Sequence, residues 1–445
     1  MQKLSHWLLY ASLFLLPWQT HLILRAGSLN GSDWQYGLMA LYGIDILFIL
    51  SFLASLFAPS IERFGFKKIT YRYLLCGFFV FLIAAIPASL SPALSAYRSA
   101  GLLVAVLFLY ALAQSTAPFR RLALAFVSGA AVSAVLGIWQ FVSQTAIAST
   151  ILGLAAHDSG ELGASVIEAV APDGVAERWL RAYGSLDHPN MLGGFLALAL
   201  IVASYLWLSR DGVRKRAELL LIIFSTVCIS GGLIVSFSRG AWLAALAGLL
   251  VITIAYLLRP DRKLTEFAAW AGCLIIIVGL FASQYSYLFT PRLSGDSRLE
   301  QLSTTERLDG ARASLPLIKQ DPFFGSGLGT YTMALSKQSH LKRDAWFFQP
   351  VHDTYLLIIA ELGSVGAILL FLTILFFLIH LLRWRGNNGA SLLIALPLGA
   401  LIIASLDHWL FSLHFGVVCA AALLGLLANY STTAASEPLP APLTE

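Results

Sequence analysis

The chain has 445 residues, of which 58% are hydrophobic and only 12% charged. A soluble domain carries about 25% charge, so composition excludes an ordinary soluble enzyme, and apolar runs of membrane-spanning length recur from end to end. The net charge of +5 does not mark a nucleic-acid binder, because the basic residues sit in short clusters between apolar runs, the pattern of a topology signal.

In chain order, membrane spans are expected near 6–24, 36–58, 73–92, 98–115, 122–143, 190–208, 217–236, 240–258, 265–286, 353–382, 389–406 and 409–428. The first follows Lys3 and has the length of a signal peptide. No small-residue cleavage site comes after it, and Trp18 and Gln19 interrupt the run, so it reads as an uncleaved helix. The segment 353–382 is longer than the about 20 residues a crossing needs, which implies tilt or projection beyond the bilayer. The fold class is therefore an all-α polytopic membrane protein of about twelve transmembrane helices. One transmembrane domain covers 1–430, and the Ser-, Thr-, Pro- and Ala-rich tail 431–445 is expected to be disordered. Cys76, Cys228, Cys273 and Cys419 all lie inside apolar runs without paired spacing, as packing residues do.

Orientation follows from the basic clusters. With the N-terminus in the cytoplasm, the cytoplasmic connections hold Lys3; Arg63, Lys67, Lys68 and Arg72; Arg120 and Arg121; Arg210, Arg214, Lys215 and Arg216; Arg259, Arg262 and Lys263; and Arg383 and Arg385. These are more than half of the 29 basic residues, all in short connections, and the even number of spans returns the C-terminus to the cytoplasm. Two long connections, 144–189 and 287–352, then face outward. Long loops translocate largely regardless of charge, so Arg292, Arg298, Arg307, Arg312, Lys342 and Arg343 in the second do not contradict this topology. Loops of that length tend to be functional or disordered. Within the second, Thr304 to Gln320 reads as an amphipathic helix, capped by Ser303 or Thr304 and ended by Pro322 and Gly325, Gly327 and Gly329.

Four outward stretches carry candidate chemistry. The first runs from Arg181 through His188-Pro189-Asn190 to Gly193-Gly194, where Pro189 starts a helix and the glycines admit a close backbone approach. The second is the tight turn Ser236-Phe237-Ser238-Arg239-Gly240. An arginine at a helix N-terminus gains nothing from the helix dipole, and at membrane depth it is costly unless it pairs or meets an anion. The third contains Arg307 and Arg312 on the loop helix, then the glycine run, which reads as a turn more readily than as a phosphate cradle. The fourth is Val351-His352-Asp353-Thr354-Tyr355, followed by Gly363 on the face of His352 roughly 16 Å along. Each has a plain structural alternative: a capping turn, an arginine snorkelling to lipid phosphate, an interfacial histidine.

Outward arginines with one histidine suit an anionic leaving group and a hydroxyl nucleophile. Guanidinium forks match phosphate oxygens, and imidazole takes a proton near neutral pH. The substrate class this implies is a lipid-linked phosphate or pyrophosphate. There is no HExxH, Cys/His zinc spacing or Walker A, and no DxD in the outer loops, so neither a dedicated metal site nor a cofactor is expected.

The four stretches, in this order on a twelve-span frame, resemble the O-antigen ligase/polymerase family of membrane glycosyltransferases, over roughly residues 100–380. The resemblance rests on Arg181 with His188-Pro189-Asn190, Ser238-Arg239 with Leu243, Arg307, and His352 followed by Gly363. It implies a C-type membrane glycosyltransferase fold with a large periplasmic loop, in the bacterial inner membrane. It also implies transfer of a glycan from undecaprenyl pyrophosphate to a hydroxyl, in ligases that of a lipid A-core sugar, without metal. Carried over residue by residue, Arg239 and Arg307 would bind the pyrophosphate and His352 would activate or orient the acceptor. Arg181, His188, Asn190, Arg312, Asp353 and Tyr355 would contact substrate. Many relatives have Asn where this chain has Asp353, a carboxylate that would raise the basicity of His352 or cap its helix. An O-antigen polymerase and a protein O-oligosaccharyltransferase share the same motifs. The single large loop before His352, and a length that leaves no room for a further soluble domain, favour a ligase. A transporter of a lipid-linked anion would need charges near mid-membrane, where the spans carry very few, chiefly Asp45.

Overall fold

A computed structural model of the chain describes residues 1–59, 70–161, 163–209, 215–294, 298–339, 343–384 and 390–434. The basic residues Arg63, Lys67, Lys68, Arg210, Arg214, Lys342 and Arg385 and most of the predicted tail, 435–445, lie outside the described residues. The helices in chain order are α1 (Gln2–Leu15), α2 (Gly43–Leu56), α3 (Thr70–Ala85), α4 (Pro92–Gln114), α5 (Phe119–Ser143), α6 (Pro189–Leu208), α7 (Arg216–Val235), α8 (Arg239–Leu257), α9 (Leu264–Gln284), α10 (Ser286–Ser294), α11 (Arg298–Gln320), α12 (Tyr331–Ser339), α13 (Thr354–Trp384), α14 (Ser391–Leu406), α15 (Trp409–Ser412) and α16 (His414–Ala434).

Among the described residues, nine helices are long and apolar enough to cross a membrane: α3 to α9, α13 and α16. Helices α2 and α14 are apolar but shorter. The 14 residues of α2 rise only about 21 Å against a hydrocarbon core of about 30 Å. The first predicted span is corrected most. Its helix stops at Leu15, because Pro17 has no amide hydrogen with which to continue the helical ladder. Residues His21–Arg25 form instead a strand paired antiparallel with Met39–Tyr42. The last helix runs on to Ala434, past the predicted edge of the tail.

Helix α6 is apolar on every side and is buried along its length against α5, α7, α8 and α14, the expected position for a helix without a polar face. Helix α16 packs on α4, and α3 packs on α13. Contacts between connections sort them into two ends. At one end Arg120 pairs with Glu218, the Gln2 side chain donates to Thr116 Oγ1 (3.0 Å), and Asn429 caps the carbonyls of Ser115 and its neighbours. At the other, Arg181 reaches Ser236, Asn190 reaches Asp407, Arg239 reaches Glu300, and Trp34 donates to Thr332 Oγ1 (2.9 Å). The two long connections therefore meet at one end of the bundle. The first contributes a hairpin, Val166–Val170 with Ala176–Leu180.

Two predictions on the second connection change. Helix α11 begins at Arg298, so Ser303 and Thr304 are interior, and the Thr304 hydroxyl bonds back to the Glu300 carbonyl (3.0 Å). And α13 is not continuous: Gly363 (φ 64°, ψ −174°) breaks it, so His352 and Gly363 do not share one helical face. The loop Asp321–Gly329 plugs the break. Ser326 N and Gly327 N donate to the carbonyls of Ala360 and Glu361, and Ser364 N donates to that of Pro322 (2.8–3.0 Å). The Glu361 carboxylate accepts from Gly329 N (2.7 Å) and Tyr331 N (3.1 Å), capping α12. The glycine run is thus a turn whose amides are already spent on this chain's own acceptors.

A Cβ on Gly363 would lie 2.3 Å from the Phe323 carbonyl, besides the cost of its left-handed φ. Gly363→Ala is expected to destabilise the detergent-purified protein by about 1–3 kcal/mol in thermal unfolding. Gly272→Ala, with nothing within 4 Å, is expected not to lower stability. Equal losses would contradict this account of the kink.

Candidate active site

Residue His188 caps α6: its Nδ1 accepts from Asn190 N (3.1 Å), which leaves Nε2–H for the Ser165 hydroxyl (3.0 Å). One residue into the helix, Asn190 points its amide across the bundle end. Its Oδ1 accepts from Arg181 (2.7 Å) and its Nδ2 donates to Asp407 Oδ2 (3.0 Å). Arg181 is 6% exposed and donates through Nε to the Ser236 carbonyl (2.8 Å), so it is held entirely by this chain's own acceptors. The glycines after Asn190 do what the sequence asks of them. A Cβ on Gly193 would meet Ser236 Oγ at 2.6 Å, and one on Gly194 would meet the Trp409 ring at 2.6 Å.

Asp407, in the turn between α14 and α15, also accepts from His408 N (2.8 Å) through Oδ1, and its carbonyl accepts from the Thr354 hydroxyl (2.7 Å). Its Oδ1 faces His352 Nδ1 at 3.8 Å, an ion-pair distance and too long for a hydrogen bond. Burial opposes the charge of Asp407. The surrounding imidazoles of His352, His408 and His188, with the two N–H donors, more than offset it, and the carboxyl stays ionised well below the usual range. His188 is pushed down to about 3, by burial and then by Arg181. His408 is pushed down to about 4, by burial. Both are neutral imidazoles at physiological pH.

The cationic side is built on the turn before α8. Phe237 takes a left-handed φ of 48°, rare for a bulky residue, and its carbonyl accepts from Arg292 Nε (2.9 Å). Glu300, 3% exposed, pairs with both Arg292 and Arg239 (2.7 Å to Arg239 Nη2). Arg307 lies seven residues after Glu300 on α11, hence on nearly the same face. Its buried Nε has no hydrogen-bond partner among the described residues.

Between these elements lies an open cleft. Six predicted residues line it: Arg181, His188, Asn190, Arg239, Arg307 and His352. Arg292, Ser303, Glu306, Asp407 and Trp409 line it too and were missed by the sequence reading. The only sequence signal for Asp407 was an Asp-His pair in a connection of two residues between apolar spans. Arg312, Asp353 and Tyr355 are not brought into the cleft. Arg312 is exposed beside Asp309 (3.3 Å), Asp353 Oδ1 caps α13 by accepting from Tyr355 N and Leu356 N (2.8 and 3.0 Å), and the Tyr355 hydroxyl donates to the Leu401 carbonyl (3.1 Å). A second, smaller cavity lies by Arg98 and Glu361 and holds none of the predicted site residues. The ring nitrogens of His352 and His408 and a carboxylate oxygen of Asp407 lie within 4.8 Å of one another, a set that sequence spacing does not reveal.

A bundle of apolar helices defines a multi-pass membrane protein, and one terminal cleft in it is lined by four guanidiniums and two imidazoles, groups that can hold an anion and accept a proton. Residues 224–371, a third of the chain, match the O-antigen ligase family, and this match supports the resemblance of the motifs. The family is one of membrane glycosyltransferases, and it implies substrates that are glycans and lipid-linked. The matched stretch carries Arg239, Arg292, Arg307 and His352, whereas Arg181, His188, Asn190 and Asp407 come to the cleft from outside it. No curated protein matches the chain.

Removing Glu300 would strand two guanidiniums. Glu300→Ala is expected to cost about 3–5 kcal/mol in thermal unfolding. Glu168→Ala, whose partner Arg298 is exposed, is expected to cost under about 1 kcal/mol. Similar losses in the two variants would count against the cleft's architecture. A pH effect follows from His188. Its folded-state pKa is depressed from 6.5 to about 3, so below pH 6.5 the unfolded chain binds a proton that the folded chain refuses. Stability is then full above pH 6.5 and falls towards pH 3, by up to about 1.4 kcal/mol per pH unit. The melting temperature should drop steadily from pH 7 to pH 4, and less steeply in His188→Asn. A flat profile in the unaltered protein would contradict it.

Proposed function

We propose that the protein is an O-antigen ligase-type glycosyltransferase, moving a glycan from undecaprenyl pyrophosphate to a hydroxyl of lipid A-core. The observation that carries this reading is convergence: four stretches spread over more than 170 residues of sequence supply arginines and a histidine to one cleft. In this reading Arg239 and Arg307, with Arg292 beside them, hold the pyrophosphate, and their fixed charges meet the negative charge that develops on it as it leaves. The acceptor oxygen bonds to the anomeric carbon as the bond from that carbon to the phosphate oxygen breaks. The acceptor proton passes to His352, whose Nδ1 faces Asp407 and whose other ring nitrogen is left for the hydroxyl. Asp407 steadies the imidazolium so formed, and Arg181 and Asn190 position Asp407. No metal takes part in these steps. Arg312, Asp353 and Tyr355 are left out, because their side chains serve the chain's own structure or solvent.

The compact basic clusters support a cytoplasmic N-terminus and C-terminus and an inner-membrane location, with about twelve crossings once the shorter helices α1, α2 and α14 are counted with the nine long ones. The cleft then opens to the periplasm, where lipid-linked glycan is presented. The position of its charges, gathered at one end of the bundle, favours surface chemistry over transport.

The test is transfer by purified protein in detergent with EDTA, from an undecaprenyl-pyrophosphate glycan to a lipid A-core extract. The unaltered protein should transfer, and His352→Ala and Arg239→Ala should each lose about 10²-fold or more while keeping a monodisperse elution profile. Longer chains on the lipid carrier would mean a polymerase, product on a supplied protein would mean a protein oligosaccharyltransferase, and full activity in both variants would refute the site.

A further inference from the structure

The cluster of His352, Asp407 and His408 contains more than a proton acceptor requires. His408 does not line the cleft, yet it lies against His352, with ring centroids 5.2 Å apart at 44°. Its Nδ1 is engaged by the Ser412 hydroxyl (2.7 Å), so Nε2 is the ring nitrogen left for a further ligand. Asp407 keeps one oxygen on the Asn190 amide (3.0 Å) and turns the other towards His352. The Nδ1 of His352 is buried and has no hydrogen-bond partner among the described residues. We propose that these three side chains form a site for a borderline divalent transition-metal ion of the zinc type, and that occupancy inhibits the protein.

The donor set selects the ion. Two imidazoles and a carboxylate suit zinc, whereas magnesium and calcium take all-oxygen shells. Outer-sphere bonds that orient metal-ligating histidines and carboxylates are already present, in Ser412 on His408 and Asn190 on Asp407. Tetrahedral ligands about 2.0–2.1 Å from zinc stand about 3.3 Å apart. The present spread of up to 4.8 Å therefore closes by about 1.5 Å, within reach of side-chain torsions at His352, which is 29% exposed at the cleft. The nearby guanidiniums repel a cation, so the site is one that free metal enters reversibly, not one that retains metal through purification.

A bound ion on Nδ1 of His352 would keep the ring's proton on the other nitrogen, the one that takes the acceptor proton in the transfer proposed above, and would occupy the Asp407 oxygen that steadies the imidazolium. The inhibitory half of this inference rests on that reading, while the binding half does not. The same geometry gives the inhibition a signature: zinc would remove the proton acceptor, and the pyrophosphate-holding arginines would be untouched.

The experiment uses EDTA-treated full-length protein without an affinity tag. Zinc chloride titrated by calorimetry should bind one to one, magnesium chloride should give no heat, and zinc K-edge absorption should show two imidazoles with a further oxygen at about 2.0–2.1 Å. His408→Gln should weaken zinc at least tenfold while keeping the melting temperature within a few degrees. The absorption spectrum of the unaltered protein decides the ligands should that variant fold poorly. Absence of one-to-one binding, or a spectrum without two imidazoles, would overturn the site. In the transfer assay zinc should abolish product and EDTA should restore it. Full activity with zinc bound would overturn the inhibition alone. No transfer even without zinc would refute the proposed function and leave binding to be decided by calorimetry.

Discussion

One amide joins the parts of this molecule that the chain itself keeps far apart. Asn190 accepts from Arg181 and donates to Asp407, while Arg181 also holds the carbonyl that ends α7. Arg181 is buried, and Asn190 and Asp407 are half-buried, at the end of an apolar bundle, where an unpaired charge or amide costs several kcal/mol. The start of α6, the turn before α8 and the turn after α14 are therefore fixed relative to one another by polar satisfaction and not by packing alone. His352 enters the same frame because the Thr354 hydroxyl bonds the Asp407 carbonyl.

Opposite this frame, the loop helix α11 supplies both the countercharge and the excess. Glu300 is shared between Arg239 and Arg292, so one carboxylate answers two guanidiniums, and Arg307 adds a third. The lining keeps a net positive charge in a place where solvent screening is weak, and this is the condition under which an anion binds well and its developing charge is stabilised. The left-handed Phe237 belongs to the same arrangement. It turns a carbonyl towards Arg292, and a backbone conformation this costly persists where the surroundings impose it.

Much of this was legible in the sequence, and the limits have physical causes. Apolar runs located the nine long apolar helices among the described residues, because hydrocarbon tolerates no other backbone in exposed spans. The first span was overread, since hydropathy continues past Pro17 although the helix cannot. The break at Gly363 was invisible because the amides that fill it come from residues 326 and 327, some 35 positions away. Arg181, Asn190, Arg239 and His352 stood out as polar residues at or near the edges of spans, and Arg307 as an arginine on the amphipathic loop helix. Arg292, Glu300 and Asp407 did not, because their roles arise from pairing across the fold, which no local spacing encodes. Arg312, Asp353 and Tyr355 lay next to true cleft residues in sequence, but the helix turn points them elsewhere.

The most direct measurement is an electron cryomicroscopy structure of the protein with an undecaprenyl-pyrophosphate glycan bound. The account predicts the two phosphates between Arg239 and Arg307, with the anomeric carbon towards His352. A headgroup seated elsewhere, such as the smaller cavity beside Arg98, or phosphates that leave Arg239 and Arg307 untouched, would contradict it.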